Sequence, residues 1–399
     1  MSQLMNTSNA TGWRNWAAVS MLGVAAFTVV TTELAPIGML SAIAADLDQN
    51  TSVTGLVVTL YAWLGAAAAL LSVMTISHLP RRPLLVGLML LLGISNAVSA
   101  ASHSFTVLLI ARLAGALAHG AFWAMIGTMG AQLVASNRVG RATAIIFGGV
   151  STASVLGVPL INWISHDAGW RLSFGLLGLL SVATALTLAF SLPRVAGTAS
   201  LSRNQFVSVL RNTDLRRIYL IAACGIVAHF AAFTFIEVLL SSELAIPQNW
   251  VVICLLAFGI AGILGNLLCG VFIDKHLKAV LSIGLLLVSL CLLLISTVTV
   301  KDGIIALLLL SGWGLGIAIL FVGIQAWIIR LAGADALPAS AIYAAIFNGA
   351  IGAGAMAGAG LLDHWGIRPL YLTAAITTLL SFILVIMIRT KPVRHAVTE

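Results

Sequence analysis

Charge is scarce in this chain. Asp, Glu, Lys and Arg together make up 8% of its 399 residues, against 60% hydrophobic residues. A water-soluble domain carries about a quarter charged residues, so the deficit excludes a large soluble enzyme. Catalytic signatures are missing as well: H-E-x-x-H, G-x-S-x-G and G-x-x-x-x-G-K-[ST] do not occur. No metalloprotease, serine-hydrolase or nucleotide-driven engine is therefore expected. The only close pair of aspartates, Asp46-Leu47-Asp48, lies between apolar runs. Cysteine is nearly absent. Cys224, Cys254, Cys269 and Cys291 all fall inside apolar stretches of the second half and form no C-x-x-C. They read as buried thiols, with no disulfide framework and no metal site. The polar start, 1–15, has no small-residue cleavage pattern, and the apolar run behind it is too long for a signal peptide, so the first span is expected to be retained.

What the chain has instead is apolar length. Mean hydropathy is +1.10, and stretches of about 20 apolar residues, the length needed to cross a bilayer, recur twelve times. The expected spans are 17–41, 53–76, 84–101, 105–129, 141–165 and 172–192, then 217–241, 249–273, 279–299, 303–330, 338–362 and 369–389. Connections are short except for a polar stretch at the centre. The expected organisation is an N-terminal six-helix bundle (1–192), a cytoplasmic linker (193–216) and a C-terminal six-helix bundle (217–399).

Charge sign orients these spans. All the Lys and Arg residues fall on one side except Arg171, Lys301 and Arg368 opposite and Arg112 inside a span. The positive-inside rule places both termini and the linker in the cytoplasm. The net charge of +8 is thus topogenic and nucleic acid is not an expected partner; the basic linker serves topology alone or also touches anionic lipid headgroups, with topology the first reading.

Carboxylates inside apolar runs are the most informative residues. An ionised one at a helix centre costs roughly 3 kcal/mol or more, so it usually serves a purpose. Glu33 lies in the first span and Glu237 in the seventh, which suggests a duplicated machine handling protons or polar solutes. A carboxyl hydrogen-bonded between helices is the alternative use of each. In the fourth span, Arg112, Ala116, His119 and Trp123 follow at steps of four, three and four, which puts them on one helix face. In the seventh, His229, Phe233 and Glu237 do the same. His229 is either a second proton relay or an interhelical hydrogen-bonding residue; Glu237 contacts substrate, closes an outer gate or is structural.

Several ordered strings carry a family resemblance. The loop after the second span keeps only Arg81 and Arg82 of a G-x-x-x-D-R-x-G-R-R motif, with Val73, Ser77, His78 and Pro80 at the other marked places. Its second-half counterpart keeps Gly270, Asp274, Lys275 and Lys278. Thr32-Glu33-Leu34-Ala35-Pro36-Ile37-Gly38-Met39-Leu40 is similar to a T-E-F-x-P-x-G-L-L segment. Gly157-Val158-Pro159 is similar to an antiporter motif of the fifth helix, with Ile161 and Asn162 in place of its trailing glycines. Gly169-Trp170-Arg171 with Phe174 matches G-W-R-x-x-F. Over essentially its full length the chain resembles the major facilitator superfamily, in its drug and sugar efflux branch. Tyr61-Ala62-Trp63, Ala118-His119-Gly120-Ala121-Phe122-Trp123 and Ala228-His229-Phe230 look most like bacterial sugar efflux transporters.

The resemblance implies an all-α membrane protein of two pseudo-symmetric six-helix bundles in the bacterial inner membrane. It implies proton-coupled antiport by a monomer that exports sugars or sugar analogues such as arabinose, lactose and thiogalactosides. The proton gradient is the energy source and no cofactor is expected. Multidrug, amphenicol or nucleoside efflux is the alternative on the same architecture. It also implies that Glu33 and Arg112 meet in one central cavity, as a proton-coupling pair or a static one. Proton coupling would fall to Glu33, Arg112, His119, His229 and Glu237. Flat apolar faces beside hydroxyl-matching groups suit sugars, which nominates Tyr61, Trp63, Trp123, Phe233, Gln325, Phe347 and Asn348. Arg81, Arg82, Gly157, Pro159, Asp274 and Lys275 would serve gating.

Overall fold

With no water in the hydrocarbon layer, each span must satisfy its own backbone groups, and a helix does so within one segment. The computed structural model describes residues 12–126, 129–135, 138–197, 203–297 and 302–388. Among these, twelve helices are long and apolar enough to cross a membrane. They are α1 (Trp13–Gly38), α2 (Thr51–Thr75), α3 (Arg81–Ala100), α4 (Phe105–Ile126), α5 (Arg141–Ala168) and α6 (Trp170–Ser191). The second six are α7 (Thr213–Phe233), α8 (Gln248–Ile273), α9 (Lys275–Thr297), α10 (Gly303–Ala332), α11 (Ala336–Trp365) and α12 (Ile367–Met387). The fold is the expected all-α membrane architecture, and most span ends lie within a few residues of those read from hydropathy.

The differences have local causes. Span α7 stops at Phe233 rather than 241: the Phe235 N–H bonds Ala232 O at 3.2 Å, three residues back instead of four, and the chain resumes as Ile236–Val238 and a π turn at Leu239–Glu243. In α1 the regular helix ends at Leu34 and tightens into a 3₁₀ turn, Ala35–Gly38, because Pro36 has no N–H to continue the ladder. A π turn also interrupts α5 at Ala153–Gly157, just ahead of Pro159; such turns absorb the hydrogen bond a proline cannot make. The polar linker contains a short helix, Arg203–Arg211, whose Phe206 and Val209 pack on the second half.

Packing reveals the internal repeat more clearly than sequence does. Gly169 and Gly366 open α6 and α12 with φ of 86° and 85°, a region glycine enters without steric cost. Two residues on, Arg171 pairs with Asp46 at 2.7 Å and Arg368 pairs with Glu243 at 2.8 Å. All three correspondences (366 minus 169, 368 minus 171, 243 minus 46) give 197 residues. On that spacing Glu33 corresponds to Phe230 and Glu237 to Leu40. The two buried glutamates, 204 residues apart, are not equivalent positions.

One apolar core joins α1, α3, α4 and α6 through Leu22, Leu92, Phe122 and Leu188. A larger one fills α7 to α12 around Trp313 and Tyr371 and takes in Ile37, Val58 and Val158. Polar contacts also cross between the halves. Ser41 and Glu237, Ser52 and Asp363, and Asn162 and Gln248 meet at the end opposite the termini, here called the far end. At mid-span the Trp63 indole N–H donates to Gly349 O at 3.1 Å.

Candidate functional site

The polar part of the site comes from the first half. Glu33 stands where the regular helix of α1 gives way to its 3₁₀ turn, with its side chain 13% exposed. Its Oε1 lies 3.7 Å from His119 Nε2 and accepts no hydrogen bond. Arg112 is completely buried. The expected carboxylate pair between Arg112 and Glu33 is not made: Arg112 Nη2 instead donates to the backbone carbonyl of Glu33 at 3.5 Å. The reason is local. The guanidinium carbon lies over the Tyr61 ring, 4.1 Å from its centroid, and 5.5 Å from that of Phe174, a contact worth about 2 kcal/mol when desolvated. The carboxyl therefore faces His119 and leaves Arg112 Nε and Nη1 without hydrogen bonds.

His119 presents its ring to the edges of Tyr61 at 5.4 Å and Trp123 at 6.3 Å, as the helix-face spacing predicts. Asn348 comes from α11, its Oδ1 lying beside Gly65 of α2 as the His119 ring does. Its amide donates to Ala344 O at 3.0 Å. Buried polar atoms normally find partners. Here Tyr61 OH, His119 Nδ1, Asn348 Oδ1, Glu33 Oε1 and the two Arg112 nitrogens do not. They converge on one region, and the arrangement suits a hydroxyl-rich ligand.

The second half supplies the aromatic part. Trp313 donates its indole N–H to His229 Nδ1 at 3.1 Å. Around that imidazole stand Phe233 (stacked, 5.0 Å), Phe258, Phe230 and Phe321. Phe347 extends the box, 4.8 Å from Phe321 and 5.9 Å from Tyr343. Trp313, Phe258 and Phe321 were not singled out in the sequence. Aromatic type was their only signal, since they lie on two helices far from His229 in the chain.

Other nominated residues lie elsewhere. Gln325 donates to Ser340 Oγ at 2.9 Å between α10 and α11, outside this cluster. Glu237 is buried at the far end. Its Oε2 accepts from Ser41 N (3.2 Å) and Ser41 Oγ (2.7 Å), and its Oε1 accepts from Ser241 Oγ (2.9 Å). It joins the extension of α1 to that of α7. Asn162, which the motif reading treated as a departure, donates to Gly38 O and accepts from Gln248, both at 2.8 Å. Gly157 packs on Thr31, so the π turn and Pro159 abut the helix that carries Glu33. Arg81 is buried, bonds Val195 O through its backbone N–H and contacts the Met125 sulfur. Arg82 is half-buried and Lys275 exposed. Lys278 bonds Ile386 O and Ile388 O at the end of α12. The side chain of Asp274 lies outside the described residues.

The Glu237 contacts carry a prediction. Hydrogen bonds to a charged group contribute about 1.5–3 kcal/mol each, so Glu237→Ala is expected to shift the far end about tenfold or more toward separation. Spin labels at the exposed Gln49 and Asn249, read by pulsed EPR, would report a new longer distance. An unchanged distance distribution would show that the far end closes without this carboxylate.

The family model of the Major Facilitator Superfamily matches residues 21–337 and 248–399. Among solved structures, the chain is similar to the human organic anion transporter MFSD10 (TETRAN). That match has 18% identity, covers 93% of this chain and 99% of that one, and has a TM-score of 0.67. The nucleoside transporter NupG, solved as a point mutant, matches at 15% identity and a TM-score of 0.73, covering 92% and 98%. At those identities the likeness is one of fold. Twelve spans and the family match agree: the chain belongs to the Major Facilitator Superfamily, and it is a multi-pass secondary transporter rather than an enzyme.

Proposed function

We propose that this transporter is a proton-coupled antiporter that exports sugars or sugar analogues, with apolar-substituted glycosides among its best substrates. The observation that supports this is the presence of two unlike surfaces. One holds the unbonded Tyr61 hydroxyl beside Glu33 and His119; the other is the box of Phe230, Phe233, Phe258, Phe321 and Phe347. Sugar hydroxyls would bond to the first, and an apolar substituent would rest on the second. Glu33 would carry the proton, and Glu237 would serve the far-end closure rather than proton transfer. Residues 1–192 and 217–399 would rock about the linker 193–216, alternating access to the site. On the sign rule, the termini face the cytoplasm of a bacterial inner membrane and the far end faces out.

The test is pH-driven transport by purified protein in liposomes, run with arabinose, lactose, isopropyl thiogalactoside and chloramphenicol. Saturable movement of the sugars against a proton gradient supports the reading. Movement of chloramphenicol alone would replace it with the second reading, which the phenylalanine lining favours. Phe347→Ala refines the assignment. Losing one ring contact is worth about 0.5–1.5 kcal/mol beyond area. The variant is expected to weaken the thiogalactoside about tenfold and free arabinose hardly at all. Equal losses for both would place the substituent elsewhere.

A further inference from the structure

We propose that Asn348 reads the proton load of Glu33 through the tautomer of His119, and so passes it from the first half to the second. The inference rests on Glu33 as the proton carrier. Three observations support it. Asn348 belongs to α11, yet its Oδ1 and the ring of His119 on α4 lie against the same residue of α2, 4.0 and 3.4 Å from where a Cβ on Gly65 would stand. Its amide nitrogen is committed to Ala344 O, which leaves Oδ1, an acceptor only, toward the first half. Oδ1 and His119 Nδ1 are both buried and both without a hydrogen bond, while the other ring nitrogen, Nε2, faces Glu33 Oε1 at 3.7 Å.

A neutral imidazole has one N–H and one lone pair. With Glu33 ionised, the carboxylate claims the N–H on Nε2, so Nδ1 shows Asn348 a lone pair and no bond forms. An incoming proton binds the Nδ1 lone pair, the Nε2–H bond breaks, and that proton forms an O–H on Glu33. The pair has gained one proton, the imidazole is neutral again, and Nδ1–H now donates to Asn348 Oδ1. The ionisable groups around this relay are Glu33 on α1, Tyr61 on α2 and Arg112 on α4, with His229 on α7 beyond Phe347 and Phe230. The residue after Asn348, Gly349, accepts from Trp63, so adjacent residues of one helix turn hold both contacts to the first half.

Asn348 is thus a positioning residue, and three variants test it in liposomes. Asn348→Leu keeps the volume and removes the acceptor; it is expected to lower proton-driven accumulation at least tenfold more than it lowers counterflow at equal pH. Asn348→Gln, which keeps an amide oxygen, is expected to restore part of the accumulation. An accumulation ratio in Asn348→Leu equal to the parent's overturns the inference. So does an equal loss of counterflow and accumulation in both variants, which would make Asn348 a cargo contact or a packing residue. Glu33→Gln, run beside them, separates the two readings: if it still accumulates cargo, Glu33 is not the carrier; if only Asn348→Leu does, the relay alone fails. A spectroscopic measurement stands apart from transport. In ¹⁵N-histidine-labelled protein above neutral pH, Glu33→Gln presents an amide N–H to Nε2 and is expected to move the His119 proton to Nδ1. An unchanged tautomer overturns the proposal.

Discussion

Glu33→Gln is expected to abolish proton-driven accumulation while leaving cargo exchange at equal pH. Glutamine has nearly the same shape and can still approach His119, but it cannot take up or release a proton. One proton crossing 100 mV supplies about 2.3 kcal/mol, which at about 1.4 kcal/mol per decade sustains roughly a fifty-fold cargo gradient. In the variant that ratio falls to about one. The surroundings explain why the effect is confined to coupling. The carboxyl is nearly enclosed, its Oε1 has no hydrogen bond, and Arg112 is held by the Tyr61 face and the Glu33 carbonyl rather than by the carboxylate. Neutralising the acid therefore breaks no ion pair on which packing depends. Vesicles loaded with labelled cargo and subjected to a pH jump measure both quantities. A variant that still accumulates cargo would assign the proton to another group, and one that loses exchange as well would make Glu33 a cargo contact.

Gly352→Ala is expected to separate the halves at mid-span. The Trp63 indole lies in a notch of α11: a Cβ on residue 352 would collide with Trp63 Cδ1 and Nε1 and fall 2.7 Å from Thr59 O. The indole could turn aside only by giving up its bond to Gly349 O, and the Thr59 carbonyl is backbone. Overpacking of this kind costs about 1–3 kcal/mol. Here it falls on an interface between two rigid halves, so it shifts their equilibrium by about tenfold to a hundredfold rather than unfolding either. The same Gln49 and Asn249 spin labels would show the far end opening, with transport slowed to match. Trp63→Ala in the same chain removes the indole clash and leaves the one with Thr59 O, so it is expected to restore closure only in part. If the double variant is no more closed than Gly352→Ala alone, the indole is not what the added methyl displaces.

The spans were legible because bilayer thickness dictates their length, and Leu, Val, Ile and Ala mark them wherever they fall. Interruptions within spans were not. Pro36 and Pro159 announced irregularity but not its form; the 3₁₀ turn after Leu34 and the π turn ending at Gly157 depend on what each helix packs against. In the site, the four-three-four spacing placed Arg112, His119 and Trp123 correctly on one face. It could not say that Arg112 would rest on Tyr61 and yield the carboxyl to His119, because that choice is made between helices. The aromatic box was less legible still. Phe230 and Phe233 come from α7, Phe258 from α8, Trp313 and Phe321 from α10 and Phe347 from α11, so no single stretch displays the pattern. Asn162 shows the opposite case: a break in a motif turned out to be a bonded contact to Gly38 and Gln248.

The 197-residue spacing has a consequence for the history of the molecule. Duplication copied the frame twice: the glycine that opens α6 and α12, the arginine two residues on and the acid it clasps are present in both halves. The working carboxyls were not copied. Phe230 stands where a second Glu33 would be, and Leu40 where a second Glu237 would be. Each acid thus stands in one half only, with Glu33 in the first and the aromatic box in the second. A symmetric ancestor with two such halves would have needed a different division of labour, and the present asymmetry records how that labour was split.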